Sequence, residues 1–207
     1  MSAFLGPIHY WLYNKIQWHE NLLDEIYGLM ASNGEDVGLI KHYTEHQFGA
    51  PERSELSEVI DGSNIHGWLQ TKIQSLEYRM AYVLTHIISK EAVSLESLKA
   101  LYHENGKKAY ERYQGSMKTP NEMFKAIYDY LLEGMPCDRV NHPISADEKS
   151  MVWVKKICIH TEYWNAVGGD IKNYDALRLE WLKGFVMGEF ELVIEDGVQF
   201  ILTRRAA

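Results

Sequence analysis

A helical segment near the start of the chain recurs 57 residues later, and this repeat constrains the fold more than any other feature. Residues 8–20 read IHYWLYNKIQWHE and residues 65–77 read IHGWLQTKIQSLE, with eight identities in thirteen positions. The identities include His, Trp, Lys, Gln and Glu as well as Ile and Leu, so helical hydrophobicity alone does not account for them. The repeat therefore indicates duplication of a helical hairpin.

Apolar residues at helical spacing predict five helices in the first two thirds of the chain. Capping residues, glycines and prolines mark the ends, and the predicted ranges are 8–31, 35–48, 64–90, 94–115 and 120–134. Two related helix pairs favour a four-helix bundle with a pseudo-two-fold axis. In such a bundle the first and third predicted helices, which carry the repeat, run parallel.

The last third of the chain has the pattern of strands as well as helix. β-Branched and aromatic residues predict a strand in 150–160, residues 173–186 are helical, and Asp196 with Gly197 predicts a hairpin turn. The predicted fold class is α+β and mainly α, with duplicated helical hairpins forming a four-helix bundle, and a small antiparallel β segment and a helix at the C-terminus.

The length of 207 residues permits one substantial domain or two small ones. The change of pattern divides the chain into residues 1–134, the duplicated helical bundle, and residues 135–207, the α+β segment. No Pro-, Gly- or Ser-rich linker separates these ranges, so we expect them to share a core, either as two parts or as one single domain.

The charge balance argues against a nucleic-acid partner. The formal net charge is -8, and the densest basic groups are only Lys107 with Lys108 and Arg204 with Arg205, whereas binding a phosphate backbone requires clustered cations. The first thirty residues lack the pattern of a leader peptide, and no stretch approaches the roughly 18 to 20 apolar residues that span a bilayer. We therefore expect a cytoplasmic protein that binds neither nucleic acid nor membrane.

The repeat places polar residues on the helix face that should be buried. His9 and Glu20 share a stripe with Leu12 and Ile16, and the second copy repeats this stripe. Parallel first and third helices would bring four glutamates into one layer beside histidines. This set is similar to a di-metal centre made of carboxylates and histidines. Such centres carry Glu-x-x-His, whereas residues 42–46 of this chain read HYTEH. The candidate ligands for a divalent metal are Glu20, Glu45, His46, Glu77, Glu104, His9 and His66.

Two other interpretations of these residues stay open. In a non-catalytic structural or interaction protein, the repeated Lys, His and Glu side chains would only fasten helices together. In a small-molecule-binding protein, Trp11 and Trp68 would offer flat apolar walls. Each tryptophan lies about 200° round the helix from its neighbouring histidine, so it lies on the opposite face of the helix. We expect the C-terminal segment or a second subunit of a homodimer to cover this tryptophan-bearing face. This predicts a pocket beside residues 150–207, lined by Trp11, Trp68, His160 and Trp164.

A thiol, an imidazole and a carboxylate also lie close together in the sequence. Cys158, His160 and Glu162 could form a nucleophile with its base, or metal ligands, and a strand that continued through His160 would place all three on one side. They are the candidate catalytic residues of a metal-dependent or thiol hydrolase. Cys137 and Cys158 are too few for a disulfide framework, so we expect reduced thiols.

The order of motifs from about residue 100 onward resembles that of a known family. YHENGKKAYERY is followed by a further helix, the strand VWVKKICIH, the turn YWNAVGGD and a closing hairpin. This layout resembles the 4-vinyl-reductase-like and L-2-amino-thiazoline-4-carboxylate-hydrolase-like domains. The resemblance implies an α+β module that binds a small apolar or cofactor-like ligand. Members often carry cysteines near the turn and in the final hairpin; this chain has Cys158 at a comparable place and none in ELVIEDGVQFIL.

These features predict a cytoplasmic protein that binds a small molecule or a divalent metal in or beside a duplicated helical bundle. Catalysis, the identity of the ligand and a non-catalytic structural role stay open at this point.

Overall fold

A computed structural model describes residues 5–205 of the chain and confirms the predicted fold class, which is mainly α with a small antiparallel sheet. The helices are α1 (Pro7–Ser32), α2 (Val37–Phe48), α3 (Leu56–Val59), α4 (Ile65–Ser89), α5 (Leu95–Arg112), α6 (Pro120–Tyr130), α7 (Thr161–Ala166) and α8 (Ile171–Phe185). The strands are β1 (Asn141–Ala146), β2 (Ser150–Lys155), β3 (Phe190–Glu195) and β4 (Gln199–Arg204). No helix between residues 5 and 205 is long and apolar enough to cross a bilayer.

The chain forms two compact units. The first consists of residues 5–98 together with His160–Lys172, and the second consists of Lys99–Ile159 together with residues 173–205. This division does not coincide with the expected boundary between residues 134 and 135. The reason is that the chain leaves the sheet after β2 and returns to the first unit, where α7 packs against α4.

The two repeated helices, α1 and α4, lie side by side in the first unit and run in the same direction. His9 contacts His66 in the first turns of the helices, and Glu20 contacts Arg79 three turns further along. The partners advance together along both helices, which confirms the predicted parallel arrangement. Between these contacts, buried apolar side chains of the two helices contribute to the core of the unit, among them Leu12, Ile16, Leu69, Ile73 and Leu76.

Helix α2 returns antiparallel to α4. The ring of Phe48 stacks on Tyr78, and the ring of Tyr43 lies against Tyr82, one turn further along α4. Of the residues of α2, all of which are described, only Thr44 is buried. Most of α5, by contrast, belongs to the second unit, so the hypothesis that α4 and α5 superpose on α1 and α2 as a duplicated hairpin stays a prediction.

The sheet of the second unit has the strand order β1-β2-β4-β3, and neighbouring strands are antiparallel. The hairpin between β3 and β4 turns at Asp196 and Gly197, whose φ angles are 50° and 72°. Both residues are left-handed, as the centre of a type I′ β-turn requires, and the N–H of Val198 closes the turn by donating to the carbonyl oxygen of Glu195 at 3.2 Å. The predicted position of the turn is confirmed.

Two elements of this region differ from the sequence-based expectation. Strand β1 was missed because it is an edge strand that contains Pro143 and exposes most of its side chains, which removes the alternating pattern. The strand expected over 150–160 ends at Lys155, and the expected turn near residue 163 is the short helix α7.

Helices α5 and α8 of the second unit approach each other backbone to backbone. A Cβ atom added to Gly184 would overlap the carbonyl oxygen of His103, and one added to Gly106 would overlap the carbonyl oxygen of Trp181. Beside this crossing the indole Nε1–H of Trp181 donates a buried hydrogen bond to Oδ1 of Asn105 at 3.0 Å. Glycine is therefore required at both positions for steric reasons.

We expect Gly184→Ala to destabilise the protein by about 1–3 kcal/mol, because the added methyl group overpacks the crossing. The matched control is Gly28→Ala in α1, where a Cβ atom meets nothing within 4 Å and alanine should stabilise the helix by up to about 1 kcal/mol. Urea unfolding followed by circular dichroism measures both changes. Equal stability of Gly184→Ala and the unsubstituted chain would contradict the proposed close approach.

Candidate functional site

The predicted site residues of the first unit lie at two levels along α4. His66 and Trp68 lie at its beginning, whereas Glu77 lies nine residues after Trp68 and contacts α7. Because an α-helix rises about 1.5 Å per residue, the two levels are about 13 Å apart. The structure therefore does not bring Trp68 and its repeat partner Trp11 into one group with His160 and Trp164 of the α7 region.

The level at the beginning of α4 contains a pair of histidines, one from each copy of the repeat. The Nε2 atoms of His9 and His66 are 3.4 Å apart, and their rings are tilted by 49°. The Nδ1 atom of His9 accepts the backbone N–H of Gly6 at 3.0 Å. Since Nδ1 acts as the acceptor in a neutral imidazole, the proton of His9 is assigned to Nε2, from which it is donated to Nε2 of His66.

Each of these histidines is followed by a tryptophan and a lysine that contact each other. Nζ of Lys15 lies 4.1 Å from the centre of the Trp11 ring, and Nζ of Lys72 lies 5.1 Å from that of Trp68. Each pair is a cation–π contact between residues four apart on one helix. Both copies of the repeat therefore contain the same lysine and tryptophan contact within one helix.

Glu20 instead forms a buried ion pair with Arg79 of α4. Both carboxylate oxygens accept from the guanidinium, Oε2 from Nη1 at 2.9 Å and Oε1 from Nη2. The exposed fractions are 3% for Glu20 and 2% for Arg79, so the pair is fully enclosed. Sequence reasoning missed Arg79 because the first copy of the repeat has Leu22 at the equivalent position. The position of an arginine within the apolar stripe of α4 was the signal that could have indicated a buried ion pair.

Glu77, the counterpart of Glu20, has a different partner. Its Oε1 atom lies 3.3 Å from Nε2 of His160, and both side chains are buried. His160 immediately precedes α7, and Trp164 and Tyr163 of that helix are buried with it; the Tyr163 ring meets Tyr78 edge-on. A general base must reach the proton that it abstracts, whereas the His160 imidazole is buried beside the Glu77 carboxylate. The contact between these two side chains holds α7 against α4.

The three candidate catalytic residues all lie beyond the end of strand β2. Because β2 ends at Lys155, the strand does not continue through His160, and the period-two argument fails. Cys158 is half-buried and belongs to the second unit, whereas Glu162 is exposed in the first turn of α7. Within residues 5–205, neither Cys137 nor Cys158 forms a disulfide bond.

The remaining candidate metal ligands are also dispersed. Glu45 is half-buried and His46 is exposed on α2, and Glu104 is exposed on the part of α5 that belongs to the second unit. Within residues 5–205, no group of three or more His, Cys, Asp or Glu side chains is placed to hold a metal ion. Glu20 and Glu77 are engaged in their own buried pairs, whereas His9, His66 and His46 are accessible to solvent.

The second unit contains a buried ion pair that sequence reasoning also missed. Nε of Arg178 donates to Oε1 of Glu133 at 2.6 Å, and Nη2 lies 3.3 Å from the hydroxyl of Tyr128. The guanidinium also lies over the ring of Phe200, which stacks on Trp153 of β2. Burial raises the pKa of Tyr128 above its ordinary value. This cluster fastens α8 to the sheet and to the end of α6.

Comparisons with protein-family models, curated proteins and solved structures found no match for this chain. The resemblance of the C-terminal half to 4-vinyl-reductase-like domains therefore stays a prediction.

We expect Arg79→Met to destabilise the protein by about 3–5 kcal/mol, because it leaves the Glu20 carboxylate buried without its cation. The double variant Glu20→Leu, Arg79→Met should recover most of this loss, since it replaces the pair by apolar side chains of similar volume. Arg53→Ala is the control, because the ion pair of Arg53 with Asp24 is exposed and should contribute less than about 1 kcal/mol. A double variant no more stable than Arg79→Met would contradict this account.

We also expect the stability of the protein to fall as the pH rises above the ordinary tyrosine pKa of 10.0. Burial, followed by the carboxylates of Glu77 and Glu162, raises the pKa of Tyr163. The folded state therefore keeps a proton that the unfolded state loses, which favours unfolding at high pH. Replacing Tyr163 by Phe should make the fall between about pH 9 and about pH 11 smaller, as measured by urea unfolding at each pH. An unchanged fall would show that the Tyr163 phenol does not contribute.

Proposed function

We propose that this chain binds a divalent transition-metal ion through Nε2 of His9 and Nε2 of His66. The observation that supports the proposal is the 3.4 Å distance between these atoms. Zinc lies about 2.0–2.1 Å from imidazole nitrogens and takes a tetrahedral arrangement, so two nitrogen ligands of one ion are about 3.4 Å apart. Imidazole is also a suitable ligand for copper and nickel. An ion between the two rings would thus need little rearrangement of the helices.

Accessibility supports the same site. His66 is exposed and His9 is half-buried, so an ion can reach both Nε2 atoms from solvent. Two protein ligands leave coordination positions open, and water or a small anionic molecule would occupy them. The proposed function therefore combines the metal and the small ligand that the sequence led us to expect.

Binding of the ion has a defined proton balance. Coordination through Nε2 of His9 requires the proton on that atom to move to Nδ1, where the N–H of Gly6 then loses its acceptor. Loss of one such hydrogen bond costs about 0.5–1.5 kcal/mol, which lowers the affinity but does not prevent binding. Because protons compete with a metal ion for imidazole nitrogens, the affinity should rise as the pH rises.

A structural role is the second candidate, and the bond from Gly6 to His9 favours it. That bond orients His9 so that it donates to His66, and this contact fastens α1 to α4 without any ion. A metal titration separates the two functions, since a purely structural pair takes up no ion.

The test is isothermal titration calorimetry of untagged, metal-free protein with Zn²⁺ and with Ni²⁺. All variants carry His42→Ala and His46→Ala, so that the exposed histidines of α2 do not contribute. We expect His66→Ala to lower the affinity at least about tenfold, which corresponds to about 1.4 kcal/mol. The control is His142→Ala, because His142 is exposed on β1 of the second unit. Equal affinity of the His66→Ala and His142→Ala proteins, or no uptake of metal by the background protein, would refute the proposal.

A further inference from the structure

One face of α2 is exposed and carries two histidines beside two apolar side chains. Leu39, Tyr43 and His46 are spaced by four and three residues and therefore share a face, and His42 lies beside them at an angle of about 60° from Leu39. Leu39 is 70% exposed and Tyr43 is 48% exposed, and both histidines are exposed. The helix packs against its neighbours through Thr44 on the opposite side and through the ring of Tyr43, which lies against Tyr82 of α4 and stays partly exposed.

The two histidines have the spacing of metal ligands on a helix. Residues four apart on a helix are neighbours, with Cβ atoms about 5–6 Å apart, and zinc sites use two histidines at this spacing. Glu45 lies about 100° round the helix from His46 and is half-buried. Among residues 5–205, no third side chain completes a metal-binding group, so one chain supplies two of the four ligands of a tetrahedral ion.

The charges around this face do not oppose a cation. Lys41, the one lysine of α2, points the other way, and its Nζ lies 3.9 Å from Oδ1 of Asp24 on α1. The exposed face of α2 between Leu39 and Gln47 therefore carries no permanently positive side chain. A positive ion can approach the two imidazoles without repulsion from this helix.

We propose that a second copy of this chain completes the site, so that His42 and His46 of two copies hold one zinc ion on a two-fold axis. A two-fold contact places the same patch of both copies face to face, and two ligands from each copy give the four that tetrahedral zinc requires. Leu39 and Tyr43, beside the histidines, would be covered in the same contact. A partner of different sequence would need its own two ligands, whereas a second copy supplies them by symmetry.

The ion is essential to this dimer. One face of a twelve-residue helix offers much less than the roughly 1,000 Å² that a stable interface buries. Without zinc, the apolar contact of Leu39 and Tyr43 alone is too small to hold two copies together. The chain should therefore be a monomer in the presence of a chelator and a dimer with zinc.

This inference concerns residues different from those of the proposed function and does not rest on it. The experiment uses the His66→Ala chain, in which the His9 and His66 pair is absent, so that failure of one proposal does not affect the test of the other. Sedimentation velocity is recorded in EDTA and at increasing Zn²⁺, and the bound zinc is counted by elemental analysis after gel filtration.

We expect a monomer in EDTA and a dimer that holds one zinc ion per two chains. Adding His42→Ala or His46→Ala should keep the chain monomeric at the same zinc concentration, whereas adding His142→Ala should leave the dimer unchanged. Both residues of α2 are exposed, and circular dichroism checks that the variants fold. A monomer at all zinc concentrations, a dimer in EDTA, or a zinc-dependent dimer that survives loss of both α2 histidines would each overturn the proposal.

Discussion

The buried ion pair between Glu20 and Arg79 fixes how the two repeated helices lie against each other. A carboxylate and a guanidinium that are both enclosed must be paired with each other, because an unpaired buried charge is strongly destabilising. The bidentate geometry is satisfied in one position only, so α1 cannot slide along α4 by a turn without breaking it. The level of the His9 and His66 pair, three turns away, follows from this register.

The other polar residues of the repeat divide into structural and accessible groups. Glu77 is enclosed with His160 and attaches α7 to α4, and the two lysines lie over the tryptophans of their own helices. The imidazoles of the pair between α1 and α4 and of the pair on α2 are open to solvent. Both proposals therefore concern histidines rather than the carboxylates that the sequence brought forward, because a charged carboxylate in the core must be neutralised by a neighbour.

The sequence predicted local structure well wherever one element carries its own signal. Apolar spacing located the long helices α1 and α4, and Asp196 with Gly197 located the hairpin turn. Strand β1 has no such signal, since an edge strand that exposes its side chains is defined by pairing with β2 rather than by its own pattern. Helix α7 is too short for periodicity to be recognised, and its position depends on packing against α4.

The candidate site shows the same limit. The matching positions of the repeat determined, by sequence alone, that His9 and His66 lie at one level of two parallel helices, because equal spacing along parallel helices keeps equivalent residues together. The partners of Glu20 and Glu77 were decided only by the tertiary structure. Helical spacing indicates which side chains face inward, but the residue that each one meets depends on the course of the chain. Arg79 departs from the repeat, and His160 reaches Glu77 because the chain returns from the sheet to α4.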